Sequence, residues 1–230
     1  MTLLSLVLVS LLTSLGVWQL QRADAKARLI AHFEQNSAQP VLQLNATDFT
    51  DPRLINRLGA VTGQFRDTPV ILLNNQLLGG RLGFHRFALF QLAGSDRHLL
   101  VNRGWVPANA EGKPLLGDPA LRPRDQELRG MLVAAPRPGM RLGELRYRAD
   151  APLLELPYLD LAWLRQVLAV DLQPLVLLQD ARIIEHYRQQ RQATWLNPQR
   201  HRGYALMWFS LALALGVIYL VTNLKRTDPG

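Results

Sequence analysis

A histidine and two aromatic residues recur at helical spacing beside a long apolar run near the C-terminus. His201, Tyr204 and Trp208 stand at i, i+3 and i+7, so on a helix they share one face. A histidine at the head of an aromatic stripe can hold a cofactor, which is the chemistry that this pattern offers. The same residue types also favour the headgroup layer of a bilayer, because each is amphipathic. The stripe leaves two interpretations open, a cofactor seat and an interfacial belt.

The apolar run that follows the histidine predicts a membrane-spanning helix over residues 203–224, with a short tail at 225–230. It carries no charge, and it is bounded by Arg200 and Arg202 before it and by Lys225–Arg226 after it. At a rise of about 1.5 Å per residue, a run of this length crosses a hydrocarbon core of about 30 Å. Backbone groups in lipid must be paired internally, which favours a helix.

A second uncharged run at residues 2–20 predicts another spanning helix. A signal peptide is the alternative, and Ala23-Asp24-Ala25 resembles a cleavage site. We favour a retained anchor, because no basic residue precedes the run. Two spans place both termini on one side and residues 21–199 on the other, and Lys225–Arg226 favours cytoplasmic termini.

Two predictions about the helix pair follow from this topology. The end of the first span, Trp18–Arg22, lies at the same membrane face as the start of the second, His201–Trp208. Ser10/Ser14 and Ala212/Gly216 give each helix a small-xxx-small spacing, which favours close helix–helix contact.

Residues 21–199 predict an α+β domain built mainly on antiparallel sheet. Apolar and β-branched runs bounded by turn residues predict strands, and one segment with helical spacing predicts a helix at 158–170. A polar helix continues from the first span to about residue 35, and 188–199 is a polar approach to the second span. The predicted strands are 55–65, 69–75, 83–92, 98–106, 126–133 and 175–179.

Composition and motifs exclude several kinds of chemistry. The chain carries a net charge of +8 and no cysteine, which excludes disulfides and thiolate metal sites. The arginines are dispersed and no nucleic-acid motif accompanies them, so we expect no nucleic-acid partner. No catalytic motif is present and the histidines are scattered, so we expect a binding or scaffolding protein rather than an enzyme.

One segment of the domain has residue types that suit an interaction. Asn102-Arg103-Gly104-Trp105 closes a predicted strand before a turn. From the residue types alone, a structural role is the better interpretation, with Arg103 paired to a carboxylate and Trp105 covering core.

Three segments together resemble the Surfeit-locus-one family of cytochrome oxidase assembly factors. Gly16-Val17-Trp18-Gln19-Leu20-Gln21-Arg22 is similar to the family signature at the end of its first helix. Leu100–Pro107 is similar to its central Val-Asn-Arg-Gly-aromatic-Val-Pro segment. Residues 198–209 resemble its His-x-x-Tyr-Ala-x-x-Trp-Phe entry to the second helix. All three occur in the family's order.

The resemblance implies a protein of the bacterial inner membrane, with two spans, a periplasmic domain and cytoplasmic termini. Its implied function is to assemble haem–copper oxidase by binding haem a and assisting its insertion into subunit I. His201 is the implied candidate ligand of the haem iron. The helical stripe adds Tyr204 and Trp208 as rings that could lie against the porphyrin, and the two-span topology adds Trp18 and Arg22 at the same level, with Gln19 as an interaction residue. We expect Arg22 to face an anionic group, which could be a haem propionate, a lipid phosphate or a carboxylate of the domain. Subunit I, other assembly factors, the haem a synthesis machinery and membrane lipids are the implied partners. A cofactor-free adaptor that stabilises an assembly intermediate is the alternative.

Overall fold

The computed structural model describes residues 2–66, 69–116, 124–136, 144–148, 151, 153–194 and 197–224. The chain divides into two compact units, Met1–Phe33 with Gln189–Gly230 and Glu34–Arg188. The helices are α1 (Thr2–Ala38), α2 (Leu161–Leu168), α3 (Ala181–Thr194) and α4 (Pro198–Leu224), with a 3₁₀ helix at Pro52–Leu54. The strands are β1 (Leu42–Gln43), β2 (Leu58–Phe65), β3 (Val70–Leu78), β4 (Arg81–Leu92), β5 (Arg97–Pro107), β6 (Gln126–Ala134), β7 (Leu153–Leu156) and β8 (Asp171–Leu178).

The first unit contains two helices that are long and apolar enough to cross a bilayer, α1 with 37 residues and α4 with 27. Their large apolar side chains point outward, and Leu3 and Leu213 are 77% and 70% exposed. A core helix of a soluble protein would bury such side chains, so lipid is the solvent that suits them. The tail at 225–230 lies outside the described residues.

Helix α1 runs through residue 20 without a break and ends at Ala38. The polar continuation predicted from the sequence is therefore part of the same helix. At about 1.5 Å per residue, α1 is roughly 55 Å long, and only part of it is needed to cross a bilayer.

The second unit is organised by a sheet of eight strands that closes on itself. Their order is β1-β2-β6-β8-β5-β4-β3-β7, and a further pairing of β2 with β4 closes a five-stranded barrel of β2, β6, β8, β5 and β4. Five of the strand pairs are antiparallel, and β1/β2, β3/β7 and β5/β8 are parallel. The predicted α+β class with a mainly antiparallel sheet is confirmed.

Alternation along the strands gives this unit two main apolar cores, one inside the barrel and one outside it. Alternate residues of β4 divide between them: Ala88 and Phe90 belong to the inner core, and Phe87 and Leu89 to the outer core. Leu164 of α2 and Ile183 of α3 pack in the outer core. The barrel is therefore filled by side chains and is not a channel.

Gly63 marks the point where β2 leaves β6 and begins to pair with β4. A Cβ atom at Gly63 would lie in the backbone of Gln91, and the residue has φ +157°. Such a close approach requires glycine, and it lets the strand bend enough to close the barrel.

Most strands lie within a few residues of their predicted positions, but the predictions from the sequence were wrong in three respects. The predicted helix at 158–170 is observed at Leu161–Leu168, but a second internal helix, α3, was missed. Residues 188–194, described above only as a polar approach to the second span, belong to it. The short strands β1 and β7 were missed. Ser10 and Ser14 are exposed, and the Ser14 hydroxyl donates a hydrogen bond to the Ser10 carbonyl in its own helix, so they do not form the helix contact.

Candidate cofactor site at the helix pair

The first residues of α4 lie beside the end of the apolar part of α1. His201 Nδ1 stands 2.7 Å from the side-chain oxygen of Gln19. This hydrogen bond joins positions 182 residues apart in the chain. The prediction that the end of the first span lies level with the start of the second is therefore confirmed.

Small residues next to this hydrogen bond let α1 and α4 approach each other closely. Gly16 lies one turn from Gln19 on α1, and a Cβ atom there would be 2.5 Å from Cε1 of Phe209. Ala205, one turn after His201, is completely buried, and Ala212 is 8% exposed. The contact resembles the close packing of small residues in membrane helix pairs. Of the predicted small residues, Ala212 lies at the contact.

The remaining predicted residues of this site lie around its open side. Trp18 is 47% exposed. The guanidinium carbon of Arg22 lies 5.6 Å from the centroid of the Trp18 ring. Tyr204 is 52% exposed and Trp208 is half-buried. The stripe is thus divided by packing: Ala205 faces inward, whereas the Tyr204 ring stays accessible.

Asn102, Arg103, Gly104 and Trp105 belong to the barrel unit and not to the helix pair. Asn102 is buried and accepts a hydrogen bond from the backbone N–H of Gly104 at 2.9 Å. The Trp105 indole donates to the carbonyl of Gln76 at 2.9 Å, and its ring packs against the outer core, as expected. Arg103 differs from the sequence-based interpretation. Within the described residues it forms no ion pair with a carboxylate.

Sequence reasoning missed the histidine that accompanies this segment. His85 of β4 is half-buried, and its Nδ1 lies 3.3 Å from Nδ2 of Asn102. Burial, with a smaller contribution from the charge of His186, lowers the pKa of His85 from 6.5 to about 4. The imidazole is therefore neutral near pH 7. No spacing signal could have found this pair, because strand register brings its members together.

A closed barrel, flanked in the sequence by two apolar helices that a hydrogen bond from His201 joins, defines a membrane-anchored protein. Comparison with known proteins identifies its family. The model of the SURF1 family, named above as the Surfeit-locus-one family, matches residues 6–213. Two SURF1-like proteins, from Rickettsia felis and Rickettsia conorii, are each 26% identical to this chain. Their alignments cover 94% and 92% of this chain and 93% and 86% of theirs.

The chain belongs to the SURF1 family, a family of oxidase assembly factors. The match covers nearly all of α1, the barrel unit and the first part of α4, so both helices and the barrel take part in the family resemblance.

Proposed function

We propose that this protein binds haem a at His201, where the start of α4 lies beside α1, and assists its insertion into subunit I of cytochrome c oxidase. Haem a is here a cargo rather than a resident cofactor. The observation that carries the proposal is the hydrogen bond between His201 and Gln19. The chain's membership of a family of oxidase assembly factors supplies the biological context.

The hydrogen bond fits His201 as an iron ligand because it selects one tautomer of the imidazole. A side-chain carbonyl oxygen only accepts hydrogen bonds, so Nδ1 of His201 must carry the proton. The lone pair then lies on Nε2, the nitrogen that would face an iron. Histidines that bind metals commonly donate their other N–H to such an oxygen. Gln19 is therefore a positioning residue for His201.

The surroundings of His201 suit a cargo that must be released. The rings of Trp18 and Tyr204 are about half exposed, so each offers an apolar face at an open surface. Arg22 is the candidate partner for a propionate, since a guanidinium matches a carboxylate with two parallel hydrogen bonds. A single histidine at an open site holds haem less firmly than two histidines in a closed core would.

We further propose that the protein lies in the bacterial inner membrane with its barrel unit in the periplasm and both termini in the cytoplasm. Two apolar helices flanking the barrel unit support the two-span topology. The basic tail, Lys225–Arg226, supports the orientation. Other assembly factors, the haem a synthesis machinery and membrane lipids are the proposed partners, without a catalytic step by this chain.

A cofactor-free adaptor is the second candidate function, and the same hydrogen bond gives it a physical basis. Gln19 and His201 also fasten α1 to α4, so the pair has a structural use without any haem. In that case the protein would stabilise an assembly intermediate through its surfaces alone.

Haem content separates these two functions. The full-length protein would be purified from membranes of cells that make haem a, and its haem absorbance would be measured per mole of protein. We expect haem in the wild type, none in His201→Ala, and an unchanged content in His32→Ala. His32 is an exposed histidine of α1 and serves as the matched control.

A second pair of variants tests the role of Gln19. Gln19→Leu removes the acceptor and should weaken haem binding about tenfold or more, whereas Gln19→Glu keeps an acceptor oxygen and should retain it. A His201→Ala protein with a full haem complement would refute the ligand assignment. A haem-free wild type whose His201→Ala variant still lowers oxidase levels would establish the adaptor instead.

A further inference from the structure

The Arg103 side chain of the Asn102–Trp105 segment covers one end of the barrel. Its guanidinium carbon lies 4.8 Å from the centroid of the Phe65 ring. Phe65 is the last residue of β2 and belongs to the core inside the barrel. Arg103 therefore projects from the inner face of β5 at the end where β2 stops.

A second arginine stands opposite Arg103 because of an irregularity in the β4–β5 ladder. His85 pairs with Trp105 and Phe87 pairs with Asn102, so Arg86 alone faces both Arg103 and Gly104. This is the geometry of a β-bulge, and Gly104 supplies its extra residue with φ +128°. Arg86 alternates with His85 and Phe87 and shares the inner face with Ala88 and Phe90.

Two like charges on facing strand positions repel each other unless a carboxylate compensates them. Within the described residues, neither arginine forms an ion pair, and the Nε atom of each is buried without a hydrogen-bond partner. Burial first, and then the charge of Arg86, lower the pKa of Arg103. Asp180 lies near Gly104, but its carboxylate is held by Arg182 at 3.0 Å.

We propose that Arg86 and Arg103 form a binding site for a phosphate group at this end of the barrel. A bound phosphate would remove the repulsion between the two guanidinium groups and supply acceptors for their unpartnered N–H groups. Phosphate suits the pair better than a carboxylate, because two oxygens fill a single guanidinium fork, whereas a phosphate has oxygens for both. The group comes from inorganic phosphate or from the headgroup of an anionic phospholipid.

Thermal unfolding of the barrel in the full-length protein tests this site. The protein would be placed in nanodiscs of phosphatidylcholine, and inorganic phosphate would be titrated at constant ionic strength with chloride as the balancing anion. A ligand that binds only the folded state raises Tm, by about 3–6 °C at ten times its Kd. We expect this shift in the wild type and its loss in Arg103→Gln and in Arg86→Gln. Arg53→Gln is the control, since Arg53 is exposed and paired with Asp51.

Nanodiscs that contain phosphatidylglycerol separate the two sources. If the lipid fills the site, the wild type gains stability in these discs, added phosphate contributes nothing more, and both arginine variants lose the gain. If free phosphate is the ligand, the lipid has no effect and the phosphate shift persists. Equal shifts in the wild type and the two variants, or no shift in either arm, would overturn the proposal. Arg86→Gln leaves the Arg103–Phe65 contact in place, so a folding defect confined to Arg103→Gln does not obscure the result.

Discussion

Replacing Gly16 by alanine tests how closely α1 and α4 pack. The new Cβ atom would lie 2.5 Å from Cε1, 2.7 Å from Cζ and 2.8 Å from Cδ1 of Phe209. Carbon atoms in favourable contact are about 3.5–4.0 Å apart, so the ring must retreat by roughly 1 Å. Extra volume of this kind in a packed interface costs about 1–3 kcal/mol.

Gly216→Ala provides a matched control in α4. A Cβ atom at Gly216 would meet nothing within 4 Å. Both substitutions remove a helical glycine, which by itself stabilises a helix by about 0.5–1 kcal/mol. That gain cancels in the comparison, so Gly16→Ala should be less stable than Gly216→Ala by about 1–3 kcal/mol.

Reversible unfolding of the full-length protein in mixed detergent micelles, followed by tryptophan fluorescence, would measure this difference. Phe209→Leu removes the ring atoms that the new methyl group strikes. In a double-mutant cycle, Gly16→Ala and Phe209→Leu should therefore couple favourably by about 1–2 kcal/mol. Equal stabilities of Gly16→Ala and Gly216→Ala would refute the close contact. Gly16 lies one turn from Gln19 on α1, so a separation of the helices at Gly16 should also weaken the Gln19–His201 hydrogen bond, and haem content should fall with stability.

Three further predictions concern other parts of the chain. Burial lowers the pKa of His85 to about 4 in the folded protein. Between pH 6.5 and 4 this imidazole is therefore protonated in the unfolded state but neutral in the folded one, so acid favours unfolding. The wild type should therefore lose up to about 3 kcal/mol more stability over this range than His85→Leu in chemical denaturation, and equal pH slopes would contradict the burial. Arg22→Lys should keep membrane insertion but lower the amount of assembled oxidase, measured by the absorbance of the oxidase. Lysine cannot form two parallel hydrogen bonds to a propionate, and it stacks poorly on Trp18. An unchanged amount of oxidase would make Arg22 an interfacial anchor. A periplasm-active reporter should work when inserted at Gly112 and be silent when fused to the C-terminus, and the reverse pattern would invert the topology.

Several features could be predicted from the sequence because they depend on local patterns. Uncharged runs long enough to cross a bilayer determine the two spans, whatever the rest of the chain does. Apolar runs bounded by turn residues such as Gly79-Gly80 located β3 and β4 within a few residues. The three family motifs are contiguous segments, so their residues and their order along the chain were enough to find them.

The barrel could not be predicted from the sequence, because closure depends on pairing between distant strands. β2 meets β6, and at Gly63 it also meets β4, while β5 lies parallel to β8 across a long intervening segment. No local pattern specifies such register. α3 was missed for a related reason. It is polar on most of its surface, and its apolar residues Ile183, Ile184 and Tyr187 acquire a partner only when the outer core of the barrel exists.

The two candidate sites show the same division. The sequence by itself determined that His201 stands at a helix entrance, because charge and hydropathy fix where a span begins. Only the tertiary structure decided which oxygen meets its Nδ1, since Gln19 lies on a different helix. Only the tertiary structure placed Arg86 opposite Arg103, because the β-bulge that aligns them is a property of two paired strands. Residue types name the available chemistry, whereas long-range packing selects the partners of each residue.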